Sequence, residues 1–306
     1  MTAQLNQTSW IKKECLFCKD RCQATIKYKR NFSEDSLNSD IFSARRTTQR
    51  CHYQVMECQK TGLVYSSPIL PFEKITKLYQ DSKQNYDDLT KYISTAYIIH
   101  LRENQKLFKQ KDSALDIGCG NGFFLRELQN FDFTHVYGIE PSEEAVEKSG
   151  DLKKYIFEGT FEQTEYPAEN FDLITCFHTL DHLVNPLSAL QKMARLLKPD
   201  GIGYFIVHNE KALQAKLLGE KSPIYDVEHV YLFNKETLTL ACEKIGFQTI
   251  EVFNIKNYYP LRYWLDMINI PFKKIILKII NILGLADLKI GLKAGNIGII
   301  VKKIND

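Results

Sequence analysis

A chain of 306 residues, 44% apolar and 25% charged, has the composition of an ordinary globular protein, long enough for one large domain with appendages or for two domains. The opening MTAQLNQTSWIKKE lacks the apolar centre of a secretory signal. No run of about 18 uncharged apolar residues is present either, which argues against a spanning helix. The net charge of +3 hides a basic start (11 basic against 6 acidic groups in residues 1–60), a basic end (9 against 3 in residues 256–306) and an acidic middle.

Basic termini suit an anionic partner such as a phosphorylated substrate, a nucleic acid or a lipid headgroup, or they are plain solvated lysines, the simpler reading. Eight cysteines without a signal peptide read as reduced thiols of a cytoplasmic protein. The first three fall in ECLFCKDRC, where Cys15 and Cys18 have C-x-x-C spacing and Cys22 follows. That spacing serves a metal clamp or a redox pair. Residues 1–70 form a polar, cysteine-bearing module ending in TGLVYSSP, a short strand stopped by Pro68. Residues 71–110 carry helical spacing (Ile75, Leu78, Tyr79; Tyr92, Ile93, Ala96, Tyr97, Leu101) and lead into the core.

From Ser113 onward, SALDI, HVYGIE, KYIFEG, FDLITCF and GIGYFIV read as buried strands separated by helical stretches such as SEEAVEKSG and LSALQKMARLLK. This alternation predicts an α/β fold with a doubly wound parallel sheet over residues 111–306. A sixth strand, FQTIEVFN, precedes a long insertion, and NIGIIVKK closes the sheet as its seventh strand.

The loop ALDIGCGNGFFL has the form D-x-G-x-G-x-G at a strand-to-helix turn. Glycines there permit close ligand approach, and the helix start offers free N–H groups. A dinucleotide loop needs a glycine three residues past Gly120, where Phe123 stands instead. Glu140 ends the second strand, where an acidic side chain accepts both hydroxyls of a ribose. Glycine loop and two acids together suit a nucleoside ligand without a pyrophosphate.

At this point the chain resembles the class I S-adenosylmethionine-dependent methyltransferases, through ALDIGCGNGFFL, YGIEPSEEAV, FEGTFEQ, FDLITCFHTLDHLVNPLSAL, LLKPDGIGYFIV and KIGFQTIEV. The resemblance implies a Rossmann-like seven-stranded sheet and S-adenosyl-L-methionine as cofactor. It implies that Asp116 and the loop Gly118, Cys119, Gly120 and Gly122 hold the amino-acid end, and that Glu140 takes the ribose with Pro141 beside the adenine. Thr160 and Phe161 border the adenine, and Phe177 and His178 line the floor. The expected activity is methyl transfer to a small hydroxylated acceptor, sugar-, glycan- or lipid-derived. The rival is a cofactor-binding regulatory or assembly protein of the same fold.

A base is needed only if the acceptor holds its proton near neutrality. TLDHLVNP resembles the Glu-His-Leu element of quinone- and sugar-modifying members, with Asp181 in place of Glu. His182 is therefore the first expected base, His229 in YDVEHVYLF the second, and His208 a third; packing roles compete for each. Two insertions, about residues 208–233 and 255–294, leave the carboxyl edge of the sheet and are expected to build the acceptor chamber. In the second, Lys274, Lys278 and Asn281 share a helical face among isoleucines. Residues 271–285 thus read as a lid over the core or as a peripheral contact with a membrane or lipid-linked substrate. Nucleic acid is disfavoured, because the D/N-P-P-Y/F and Pro-Cys motifs of DNA-methylating enzymes are missing.

Some members of the superfamily carry an N-terminal zinc module resembling C-x-x-C, a spacer, then C-x-x-C-G-L-V-Y and a proline. Here Cys15, Cys18 and Cys58 match, but Thr61 stands at the fourth position. Threonine is a poor zinc ligand. Cys22, Cys51 and His52 are the alternatives for a structural zinc, and Cys51 is the expected one, being close to Cys58. A retained module without metal is the competing reading. Redox catalysis is disfavoured without a thioredoxin-like setting.

Overall fold

Strands buried on both faces are apolar throughout, and SALDI is buried along its whole length. In the computed structural model, which describes residues 10–21, 23–33, 51–81, 90–267, 271–293 and 295–304, it forms the centre of a seven-stranded sheet. The strands are β1 (Ser113–Ile117), β2 (His135–Glu140), β3 (Ile156–Glu158), β4 (Phe171–Phe177), β5 (Leu197–His208), β6 (Phe247–Asn254) and β7 (Asn296–Lys303). Their order is β6-β7-β5-β4-β1-β2-β3. β1 to β5 pair in parallel, as expected, while β7 runs antiparallel between β5 and β6. All seven expected strands form. β5 begins earlier than its apolar run, at Leu197, across a register shift opposite Phe171 and Leu173 with Asp200 at φ 64°.

The helices are α1 (Phe72–Gln80), α2 (Thr90–Glu103), α3 (Phe123–Asn130), α4 (Glu143–Glu147), α5 (Pro186–Leu196), α6 (Leu213–Leu218), α7 (Lys235–Lys244), α8 (Leu261–Met267) and α9 (Lys273–Ile282). Their starts follow local chemistry. The Ser142 hydroxyl accepts from Ala145 N–H to begin α4, Pro186 opens α5, and Asn234 caps Thr237 N–H for α7.

Alternation along each strand divides the core. Ala114 and Leu173 face the layer holding Tyr97, Phe124 and Leu128, whereas Leu115 and Ile174 face the layer holding Leu190, Met193 and Leu238. The second layer continues into the N-terminal segment through Cys15, Tyr53 and Leu63. That segment forms an antiparallel sheet of Ala24–Tyr28, Val55–Cys58 and Val64–Ser66, and its fourth strand is Tyr231–Leu232 from the first insertion. The cysteine-bearing segment and the insertion therefore share one sheet.

In the second insertion, Asn257–Pro260 pairs with Lys289–Leu292, and α8 and α9 lie between them. Tyr259, Tyr263 and Trp264 cover the core cavity described below. α9 does not act as the expected lid: of its residues only Ile280 is buried.

Candidate functional site

The β1–α3 loop is shaped by backbone that side chains disfavour. Gly118 has φ 75°, and a methyl placed on it would fall 2.0 Å from Thr179 Oγ1. The Gly118 and Cys119 N–H groups donate to Ile139 O at 2.8 and 3.1 Å, tying the loop to β2. At the end of β2, Glu140 Oε2 accepts Gly120 N–H and Oε1 accepts Ser142 N–H, each at 2.9 Å. Asp116 Oδ1 accepts the Thr175 hydroxyl at 2.6 Å.

Both acids are buried. Burial pushes Glu140 up to about 7, against the pull of the Ser142 and Gly120 donors. It pushes Asp116 up to about 7 as well, helped by the charge of Glu140 and opposed by Thr175.

These groups line a cavity of about 480 Å³. Of the expected cofactor residues, Asp116, Gly118, Gly120, Glu140, Pro141, Thr160, Phe161, Phe177 and His178 reach its wall. Cys119 and Gly122 do not: the Cys119 sulfur packs against Gly138, and Gly122 starts α3 at φ 73°. Among the described lining residues there is no lysine or arginine, while Asp116, Glu140, Glu162 and Glu228 are present. The cavity suits a cation and not a phosphate.

The opposite wall is a cluster of four histidines around Asp181. His178 and His182 come from the β4 end, His208 from the β5 end, and His229 from the first insertion. Neighbouring rings lie 4.5–4.7 Å apart: His178–His208, His208–His229 and His182–His229. Asp181, fully buried, accepts from the backbone N–H (3.2 Å) and Nδ1 (2.6 Å) of His208 through Oδ2. Burial works to raise this carboxyl, but His208 overrides it and holds it well below the usual range. With Nδ1–H committed to a carboxylate, His208 Nε2 is the acceptor nitrogen.

His182 and His229 sit differently. Burial lowers His182 to about 4, and its Nδ1 is 2.7 Å from the Tyr79 hydroxyl. His229 Nδ1–H donates to Ile224 O at 2.9 Å, and burial, then the neighbouring His208 and His182, hold it well below the ordinary imidazole value. Both imidazoles are neutral and weakly basic. Of the three expected bases, His208 is the one hydrogen-bonded to the Asp181 carboxylate, while His182 Nε2 lies 3.9 Å from Asp181 Oδ1. Asp181 is short by a methylene and still reaches His208, because the two lie side by side across the ends of β4 and β5. Tyr79 and Glu228 also line this wall and were not singled out from sequence; the Glu-His pair in YDVEHVYLF was the available signal for Glu228.

At the N-terminus, the donor atoms of Cys15, Cys18 and Cys58 all lie within 4.8 Å of one another. The Cys18 and Cys58 sulfurs are 3.8 Å apart, and Thr61 Oγ1 is 3.4 Å from the Cys15 sulfur. Cys51 does not join them: it lies near Asp226, which with burial raises its thiol. His52 is bonded to Tyr53 O and Glu220. Cys22 lies outside the described residues. The strand after Thr61 bears on the histidine wall, since Ser66 donates its N–H to Val230 O and its hydroxyl to His229 O, both at 2.8 Å.

Comparison with known proteins agrees with this geometry. A methyltransferase-domain family matches residues 88–252, more than half of the chain. The ubiquinone biosynthesis O-methyltransferase of Aromatoleum aromaticum is 31% identical over 161 residues, covering 48% of this chain and 68% of that protein. The protein of the same name from Actinobacillus pleuropneumoniae serotype 7 is 37% identical over 123 residues, covering 37% of this chain and only 51% of that protein. A methyltransferase structure from Archaeoglobus fulgidus is 17% identical, covers 76% of this chain and all of its own, and has a TM-score of 0.47. Sheet order, glycine loop, paired acids and family match lead to one conclusion: the chain belongs to the methyltransferase-domain family and is a class I S-adenosylmethionine-dependent methyltransferase.

Proposed function

We propose that the chain methylates a hydroxyl oxygen of a small acceptor, sugar- or lipid-derived, held against the histidine wall, with His208 as proton acceptor oriented by Asp181. The observation that carries this is the 2.6 Å Asp181–His208 pair on the same cavity as the glycine loop and Glu140. The names of the curated relatives, O-methyltransferases of ubiquinone biosynthesis, support oxygen as the methylated atom.

S-adenosyl-L-methionine, when bound, supplies a sulfonium methyl whose displacement leaves a neutral thioether. The chain's residues fit it: Asp116 and the loop backbone would receive the amino-acid end, Glu140 the ribose diol, and Pro141, Thr160 and Phe161 would border the adenine. Phe177 and His178 form the floor. Most of the rate then comes from alignment, an effect worth roughly 7–11 kcal/mol in well-oriented systems. His182, with its Nδ1 on Tyr79, and His229, with its Nδ1–H on Ile224 O, orient the acceptor. His208 Nε2 takes the hydroxyl proton, and Asp181 balances the resulting imidazolium.

In the N-terminal segment, Cys15, Cys18 and Cys58 supply three thiolates suited to a structural zinc, with Thr61 at the fourth corner. Such an ion would brace the strand that holds His229.

The test is cell extract incubated with methyl-labelled cofactor, followed by mass spectrometry. A labelled hydroxylated small molecule is expected with the native chain and not with His208→Gln. Equal labelling by both would remove His208 from the reaction. For zinc, metal analysis should find one equivalent in the native protein and none in Cys15→Ser; a metal-free native protein would refute that assignment.

A further inference from the structure

One exposed apolar surface lies outside the cavity. Along α9 and the residue before it, Phe272, Ile275, Ile279 and Ile282 are spaced three, four and three residues apart and so share one helical face. They are 76%, 57%, 49% and 74% exposed. Leu283, Leu285, Leu288 and Leu292 extend the exposed apolar surface. Lys274 and Lys278 flank the stripe one residue round the helix, with Lys289 and Lys293 beyond it. The single acid of residues 271–293, Asp287, is paired with Arg262. An apolar stripe bordered by lysines on a helix too short to span is the pattern of an interfacial helix.

Its place in the fold connects it to the cavity. α9 packs against α8, whose Tyr263 and Trp264 line the cavity. α6 also lines it through Ala215 while leaving Leu213 and Leu217 exposed. Gly295, which follows Lys289–Leu292, approaches Ala212 at the start of α6. Exposed apolar side chains therefore stand on α6, which lines the cavity, and on α9, which packs against the α8 that lines it. A second copy of the chain is a poor occupant, because an isologous contact would set each lysine border against its own copy.

We propose that α9, with the exposed leucines around it, docks on an anionic bilayer surface and that the acceptor is a membrane-borne molecule whose hydroxylated end enters the cavity. This rests on the acceptor reading given above. It also accounts for two features together: the cavity lacks cationic residues, and the lysines are placed outside it, where lipid headgroups and not the reacting end of the acceptor would meet them.

The experiment is flotation of the full chain with phosphatidylcholine vesicles, with and without added phosphatidylglycerol. The protein is expected to float with the anionic vesicles and to be released by salt. Phe272→Ser with Ile282→Ser should lower partitioning by about tenfold or more. Lys274→Glu with Lys278→Glu should lower it about fivefold per lysine. These side chains are exposed, so circular dichroism and calorimetry with S-adenosylmethionine should report an unchanged fold and unchanged cofactor affinity. Failure of the native chain to float with either vesicle would overturn the proposal, as would flotation indifferent to the α9 changes. A stable dimer split by Ile282→Ser, in a chain that ignores vesicles, would assign the face to self-association instead. Vesicle binding without cofactor binding would sink the methyl-transfer reading and leave the docking surface standing.

Discussion

The two walls of the cavity are built on different principles. The proposed cofactor wall centres on two short segments, residues 116–122 and 140–142, and works there through backbone: left-handed glycines, N–H donors and one acid that ties the loop to β2. The histidine wall gathers side chains from α1, the β4 end, the β5 end and the first insertion, and works through their mutual placement. A wall of the first kind tolerates little change at any one position. A wall of the second kind can be retuned one residue at a time. That difference can be broken or sharpened by substitution.

The largest effect is expected on the histidine wall. Asp181→Asn should reduce methyl transfer by about 10²–10⁴-fold while leaving cofactor affinity nearly unchanged, because it removes the orienting carboxylate of a base and leaves the glycine loop and Glu140 untouched. Turnover kinetics with calorimetry check this, and a parallel loss of cofactor binding would merge the two walls into one unit. Next, Gly118→Ala should weaken cofactor binding by about 100-fold, since the added methyl meets Thr179 Oγ1 at a left-handed backbone position. Glu140→Ala should cost more than about tenfold in the same titration, through lost ribose and loop contacts. Unchanged affinity in that variant would rule out a ribose role.

The smallest effect is on stability, and the walls should respond to pH with opposite sign. Glu140 has its value raised to about 7 from 4.5, so the folded chain holds the proton that the unfolded chain gives up. Its contribution favours folding at low pH and is lost as pH rises from about 4.5 to 7. His182 has its value lowered to about 4, so the unfolded chain protonates first. Its penalty is absent above about pH 6.5 and grows as pH falls toward 4. Relative to the native chain without cofactor, Glu140→Gln should therefore gain melting temperature as pH rises, and His182→Gln as pH falls. Each amounts to roughly 3 kcal/mol at most. Difference melting curves with the same slope for both variants would contradict the assignment of opposite shifts.

Much of this is legible in the sequence. The alternation of apolar runs marks all seven strands, and the glycine spacing with Asp116 and Glu140 marks a loop and two acids that line the cavity, because a glycine loop is specified by its own few residues. Details that depend on depth are not written in the sequence. Cys119 belongs to the loop by sequence, but its sulfur turns to Gly138; α9 has the pattern of a covering helix, but Ile275, Ile279 and Ile282 remain exposed. An amphipathic period says that one face is apolar and not what meets it.

What the sequence by itself determined, then, is what neighbouring residues decide among themselves: strand, turn, helix start and the backbone donors of a loop. The tertiary structure alone decided which histidine is hydrogen-bonded to a carboxylate and that Cys51 stands apart from Cys15, Cys18 and Cys58. Asp181 meets His208 across 27 residues, Tyr79 meets His182 across 103, and Cys15 meets Thr61 across 46. Such pairings arise only when strand order and insertion packing bring distant segments together, and burial then sets the proton affinities that separate one histidine from another.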